Sequence, residues 1–462
     1  MRGARSDYTH VALLLPTAGT RRAFPISPYD PVVQVLTAPE AAALVRPHDT
    51  LGIPLGPGQP PAFLHALGER DDYVDVTVFG ALLVDLYTFF TKPGVHYLSG
   101  FYGPAERFLL ETGADVQFVP SDFRRFTPIA ERLKPRVVAT LAAPPDADGY
   151  ASLSLHAGAT YHELLRASAD PERVLVVEVN PAAPRTLGLE PEFPHRVHID
   201  QIDVLVESDR PLFVLPDAEE SDIDRRIAAH VRPYIVDGAT LQTGIGGIPS
   251  TIATMLANDD GGDYGIHSEM FTTGLMRLHK AGKVSNARKG QYEGMSITTF
   301  AAGTEELYEF LDGNQEVRFL PVEVVNSPEI VSKNRRMVTI NGALTIDLWG
   351  QAVADTIGSK QFSGIGGHED FVSVAGFELE DRSLLCLPST ATVGGQRISR
   401  IAAELAAGAV VTTPRHQLDL VVTEYGVASL RGRTVRERAI ALAGIAHPDF
   451  RELLTAHADS LR

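Results

Sequence analysis

The chain has 462 residues, more than one compact core holds and enough for two or three domains with a cleft between them. With 41 Lys and Arg against 58 Asp and Glu, its formal charge of -17 argues against nucleic acid or an anionic membrane as the main partner. A single cysteine, Cys386, excludes an internal disulfide, a CxxC redox pair and a cysteine-based zinc cluster, and fits a reducing, cytoplasmic setting.

In chain order, the apolar run Val11 to Leu15 is too short to span a membrane and reads as a flexible start or a first strand. Short runs rich in β-branched residues then read as strands: "RVLVVEVN", "DVLVES", "ATLQTG", "SLLCLPST", "GAVVTT" and "LDLVVTEYG". Between them, "PSTIATMLAND", "EELYEFLDG" and "RISRIAAELAAG" read as helices. This alternation predicts α/β domains with mainly parallel sheets. The polar, proline-containing stretch Ser208 to Asp224 reads as the joint between an N-terminal domain, 1–215, and a C-terminal one, 216–462, or as a surface loop inside one domain. Two segments, Asp49 to Leu67 and Ala239 to Leu256, share the order strand, glycine loop with proline, apolar helix, which hints at two related halves.

In "LQTGIGGIPSTIATML" the glycines Gly244, Gly246 and Gly247 precede a helix opening near Pro249. Proline is tolerated in a first helical turn because its missing N–H has no intrahelical partner there. Such a loop offers free backbone donors to an anion or to an oxygen on which charge develops, and it serves equally as a tight strand-to-helix turn. It is neither a Rossmann fingerprint, since Pro249 stands at the third glycine, nor a Walker loop, since no Lys-Ser/Thr pair follows. "FSGIGGHEDF" repeats the G-I-G-G form with Gly364, Gly366 and Gly367, so one amide from each loop can converge on a single oxygen.

Between the loops, "DYGIHSEMFTTG" presents one carboxylate, Glu269, between its two glycine corners, Gly265 and Gly274, with His267 two residues earlier. The zinc-deaminase, zincin and serine-elbow signatures lack their remaining residues. A carboxylate can instead be the nucleophile: attack on an acyl-CoA thioester gives a mixed anhydride, and the released thiolate then converts it to an enzyme thioester. The alternatives are a surface ion pair for Glu269 and, for His267, either tuning of that carboxylate or plain satisfaction by backbone. Glu424 reads as a structural partner of Arg431 and Arg433, and Arg397 and Arg400 as helix arginines that face solvent or meet phosphates.

The blocks "DGYASLS", "VNPAAPRTLG", "TGIGGIPSTIATML", "YGIHSEMFTTGL", "VVNSPEIVSKNRRMVTINGALTIDLWGQ", "SGIGGHEDFV", "LPSTATVGGQRISRI" and "VVTEYGVASLRGRTVRERAIALAGIAHPDFRELL" follow one another along nearly the whole chain. In them the sequence resembles the acetyl-CoA hydrolase/transferase family, which includes acetate-dependent, 4-hydroxybutyrate and butyrate CoA-transferases and acetyl-CoA hydrolases. The resemblance implies two similar open α/β domains with the active site between them, in a homodimer. It implies that Glu269 is the nucleophile that carries CoA, that the amides of Ile248 and Gly367 are oxyanion donors, and that Asn326 and Arg210 contact CoA. Coenzyme A is then substrate and covalent passenger, with an acyl-CoA and a small carboxylate as partners and no metal. The family commonly has an aspartate where Thr273 stands, an acidic residue at Ser250, and Gln-Val where this chain has His368-Glu369; these departures bear on the acyl group and acceptor, not on the reaction type. A transferase is the leading expectation, an acyl-CoA hydrolase using the same glutamate the alternative, and an idle acyl-CoA-binding protein the third.

Overall fold

The strand Val137–Ala142 is buried at every position, as expected of a strand covered on both faces. Its alternate side chains enter different cores. Val137 and Ala139 pack with Phe63, Leu64 and Leu67 of the helix Pro61–Gly68. Val138 and Ala142 pack with Tyr161, Leu164 and Ala167 of the helix Tyr161–Ala169. Around this strand runs an eight-stranded, wholly parallel sheet in the order Gln34–Leu36, Val204–Glu207, Val174–Val179, Val137–Ala142, His48–Leu55, Asp75–Ala81, Val95–Ser99, Val116–Phe118. The computed structural model describes residues 33–156, 158–374 and 378–461, so the expected first strand at Val11 to Leu15 lies outside the described residues.

A second sheet of six strands is ordered Gly265–Ile266, Thr240–Thr243, Met337–Gly342, Arg382–Cys386, Leu420–Thr423, Gly426–Ser429, parallel except at its last pair. Period-two alternation again feeds two cores. Leu384, Cys386, Leu420 and Val422 face the helices Asp222–Val231 and Gly247–Asn258. Leu385 and Val421 face Val435–Gly444 and Pro448–Ser460. The α/β class with mainly parallel sheets therefore holds. Residues 208–221, which join the chain of the first sheet to that of the second, contain no helix or strand. Each sheet carries one strand, glycine turn and helix unit of the kind that suggested duplication: His48–Leu55 into Pro61–Gly68, and Thr240–Thr243 into Gly247–Asn258.

Two local expectations are corrected. "RISRIAAELAAG" is not a helix: Gln396–Ser399 pairs antiparallel with Thr390–Val393, and Ile401–Ala402 is a further short strand. The cause is the Gly394-Gly395 turn, at φ 57° and 79°, the two positive angles that a tight hairpin requires and that only glycine adopts freely. "GAVVTT" is no strand, since Val410 and Val411 are exposed and its pairing among the described residues is a single bridge from Thr413 to Ala352.

Where chain from the two sheets meets, an apolar cluster joins Leu55, Phe79, Phe123 and Phe126 to Met270, Phe300, Ala302 and Val322. Glu269 immediately precedes Met270 and is placed at this seam.

Candidate active site

Glu269 occupies a bend between Gly265–Ile266 and the short strand Met270–Phe271. Its carbonyl oxygen accepts from Thr298 Oγ1 at 2.9 Å, Thr299 N at 3.0 Å and Phe300 N at 3.3 Å. Three donors on one carbonyl fix the backbone from which the carboxylate projects. The residue retains an edge to solvent, yet its carboxyl lies deep in the protein, where Asn326 Nδ2 donates to Oε2 at 2.6 Å. Burial pushes this carboxyl up to about 8; the Asn326 hydrogen bond opposes the shift and the charge of Asp370 adds to it. Glu269 is no surface ion pair.

The second glycine loop is pressed against this carboxyl. A Cβ on Gly367 would lie 1.9 Å from Glu269 Oε2 and 2.5 Å from Asn326 Nδ2, so only glycine lets the backbone approach. Gly366 has a φ of 55°, and its carbonyl accepts from Phe123 N at 2.9 Å. A Cβ on Gly364 would meet Phe101 Cδ2 at 2.7 Å and Gly100 O at 2.8 Å. The loop is thus wedged between Glu269 and the segment 100–125 that follows strands of the first sheet.

The first loop faces open space instead. Gly246, at φ 117° and ψ 179°, is the N-cap of the helix Gly247–Asn258, and no side chain caps it. A Cβ on Gly244 or Gly246 would have nothing within 4 Å, whereas one on Gly247 would meet Asp224. Gly244 and Gly246 line two adjoining cavities of about 180 and 430 Å³. Ser250, Thr272 and Thr273 line the smaller; Ile248, Asn341, Cys386 and Arg400 line the larger. Pro249 is the third residue of the helix, where it costs no hydrogen bond.

Asn326 is buried and spans two carboxylates, donating also to Asp370 Oδ2 at 3.0 Å. Asp370 is itself fully buried and accepts from Arg124 NH1 at 2.6 Å on its other oxygen. Burial raises Asp370 to about 7, with Asn326 and Arg124 opposing and Asp122 adding to the rise. Beside it Glu369, lifted by burial to about 7, accepts from Thr413 Oγ1, which also bonds His368 Nε2 at 2.8 Å. His368 is pushed down to about 4 by burial, against the pull of the Asp355 carboxylate.

Of the residues expected from sequence, Glu269, Asn326, Gly366 and Gly367 come together, and Gly364 sits in the same loop. Arg210 stands apart: it is exposed, bonded through its backbone to Asn180 and Ser208, and its charge acts on Glu178. His267 is fully buried with Nε2 on Val325 O at 2.7 Å, so the backbone-satisfied reading is the one realised, and burial beside Lys289 lowers it to about 3. Thr273 is buried and accepts from Thr304 N at 3.1 Å, tying its helix to the loop at Gly303. Glu424 accepts from Ser389 N and Oγ at 2.8 and 2.6 Å rather than pairing with Arg431 or Arg433, and its charge reaches Arg400. Arg397 bonds Asp449 on the surface from a strand, not a helix. Sequence reasoning missed Asp370, which shares the Asn326 amide with Glu269, and the Arg124 and Phe101 side chains that lie against Asp370 and the second glycine loop.

Residues 303–458 match the model for the acetyl-CoA hydrolase/transferase C-terminal domain. The chain is 37% identical over 426 residues to the succinyl-CoA:cyclohexane-1-carboxylate CoA transferase of Geobacter metallireducens, which covers 91% of this chain and 94% of that one. It is 35% identical over 428 residues to the 4-hydroxybutyrate coenzyme A transferase of Clostridium kluyveri, covering 91% and 96%. The crystal structure of RipA from Yersinia pestis superposes with a TM-score of 0.84 at 31% identity, over 92% of this chain and 97% of that one. The fold and these likenesses define an enzyme of the CoA-transferase type. The chain belongs to the acetyl-CoA hydrolase/transferase family.

Proposed function

We propose that the protein moves coenzyme A from an acyl-CoA to a carboxylate acceptor by a ping-pong route through Glu269. The carboxylate attacks the thioester carbonyl; the new C–O bond forms as the C–S bond breaks, leaving a mixed anhydride and CoA thiolate. The thiolate attacks the glutamyl carbonyl and expels the first acyl group as its carboxylate, leaving an enzyme thioester. An incoming carboxylate reverses both steps and departs as the new acyl-CoA. Each tetrahedral step places charge on an oxygen, for which the amides of Gly367 and Ile248 are the assigned donors. The observation that carries the reading is the Glu269 carboxyl at the apolar seam, held by Asn326 and touched by a glycine backbone.

The two named transferase relatives support the class of substrate, an acyl-CoA and a carboxylate. The acyl chain in this reading is short and uncharged, and the half-buried Phe101 beside the Gly364 and Gly366 backbone gives that side of the loop an apolar face. Under this reading the first glycine loop and its cavities, with Asn326 and Arg210, serve CoA, and domains 1–215 and 216–462 flank the site. The enzyme then works as a cytoplasmic homodimer without nucleic-acid, membrane or metal partners; among the described residues no helix is long and apolar enough to cross a membrane.

The test is to mix the protein with a panel of acyl-CoAs without acceptor, quench within the first turnovers, and measure intact and peptide masses with and without borohydride. A CoA adduct on the peptide bearing Glu269 that persists in water supports the transferase. Rapid thiol release without an adduct replaces it with the hydrolase, and neither adduct nor release with any acyl-CoA removes the Glu269 route.

A further inference from the structure

The Asn326 amide has two N–H bonds, and both are committed to carboxylates: Glu269 Oε2 at 2.6 Å and Asp370 Oδ2 at 3.0 Å. Its oxygen, Oδ1, is buried without a partner. Turning the amide over would place that oxygen against two carboxylate oxygens, so the observed orientation is enforced from both sides. The two enforcers are not equivalent during the reaction. Once Glu269 is an anhydride or a thioester it can no longer be a carboxylate, and its hold on the amide weakens; Asp370 takes no part in the bond changes and keeps the same contact with Asn326 through every step. Arg124 secures that carboxyl through NH1 at 2.6 Å and is itself braced by Asp122 Oδ2 at 3.3 Å.

We propose that Asp370, anchored by Arg124, is a positioning residue that keeps the Asn326 N–H directed at the Glu269 carboxyl while that carboxyl is covalently occupied. The donor is then in place when the glutamyl carbonyl is attacked and its oxygen gains charge. Asp370 acts through Asn326 and touches neither substrate nor the reacting atoms. This inference rests on Glu269 being the nucleophile.

The test is a double-mutant cycle on kcat and KM. Asp370→Asn supplies an amide able to donate to Asn326 Oδ1, which frees the amide to turn. It should lower kcat roughly tenfold or more while KM for acyl-CoA stays within about twofold, the pattern of an interaction needed during the chemistry. In an Asn326→Ala background the same change should cost less than about twofold, because the group it positions is gone. Equal losses in both backgrounds, or no loss in either, overturn the proposal. If Asp370→Asn does not fold, Arg124→Met removes the anchoring cation instead: kcat should fall and Arg124→Lys should recover part of it, whereas identical kcat in both Arg124 variants and the parent also overturns it. Glu269→Ala, run alongside, separates the failures: retained transfer in that variant removes the nucleophile and this inference together, while an inactive Glu269→Ala with an additive cycle removes the inference alone.

Discussion

Glu269→Gln should stabilise the folded protein at neutral pH, by a margin that disappears in acid. The Glu269 carboxyl keeps its proton up to about 8 in the folded chain because burial disfavours the charge, against an ordinary value of 4.5. The unfolded chain releases the proton above 4.5, so ionisation favours unfolding throughout the window between the two values. The stability linked to this group is complete below 4.5 and is lost as pH rises through about 8. At about 1.4 kcal/mol per pH unit, the loss is roughly 3 kcal/mol near pH 7 and approaches about 5 kcal/mol above pH 8. Glutamine has the same shape, can accept the Asn326 hydrogen bond through its amide oxygen, and carries no charge for Asp370 to repel. Urea unfolding of both proteins at roughly pH 5, 7 and 8.5 measures the difference. The gap should grow from under about 1 kcal/mol at the lowest pH to several at the highest. A gap that is constant with pH, or a wild type that is the more stable at pH 8.5, would show that the carboxyl is ionised far below 8 and would refute the electrostatic description of the site.

Activity should respond to the same group with the opposite sense. Attack needs the carboxylate, so kcat/KM for acyl-CoA should rise with pH through about 8 and then level, with Asp370, at about 7, the nearest other group titrating in that range; a profile flat from about pH 6 to 9 would argue against it. Glu269→Asp withdraws the attacking oxygens by one methylene and should cost kcat at least about a hundredfold, measured by transfer assay with thermal melting as the folding control. Gly367→Ala drives a methyl into the Glu269 carboxyl and the Asn326 amide, and should reduce kcat far more than it lowers the melting temperature; near-normal turnover would show that the loop is free to retreat. Gly246→Ala imposes a side chain on a backbone conformation reserved for glycine and should destabilise by about 1–3 kcal/mol in denaturant titration.

Local chemistry made much of this legible in the sequence. The run "RVLVVEVN" is a strand because six residues from Val174 to Val179 satisfy both faces of a parallel sheet, and "PSTIATMLAND" is helical because Ile252 and Leu256 recur on one buried face. Glu269 stood out as a lone carboxylate between glycine corners, and it occupies the seam. The failures are also physical. The helix-like spacing of "RISRIAAELAAG" loses to the Gly394-Gly395 turn that precedes it, which commits the chain to a hairpin before a helix can begin. The valines and threonines of 408–413 have strand propensity but find, among the described residues, no neighbouring strand beyond one bridge. Asp370 and Arg124 lie 246 residues apart, so no local pattern announces that they meet, or that Asn326 lies between that pair and the nucleophile.

The second glycine loop is fastened to chain from the other sheet at several points: Gly366 O receives Phe123 N, Phe362 O receives Arg107 NH1 at 2.8 Å while the same guanidinium lies over the Phe362 ring, and Ser363 O receives Tyr102 N. The loop that abuts the nucleophile therefore takes its position from residues 101–124 as much as from its own neighbours. A chimera joining the N-terminal part of one family member to the C-terminal part of another would inherit Glu269, Asn326, Gly367 and Asp370 together and still misplace them, unless the 101–124 segment travelled with the loop it holds.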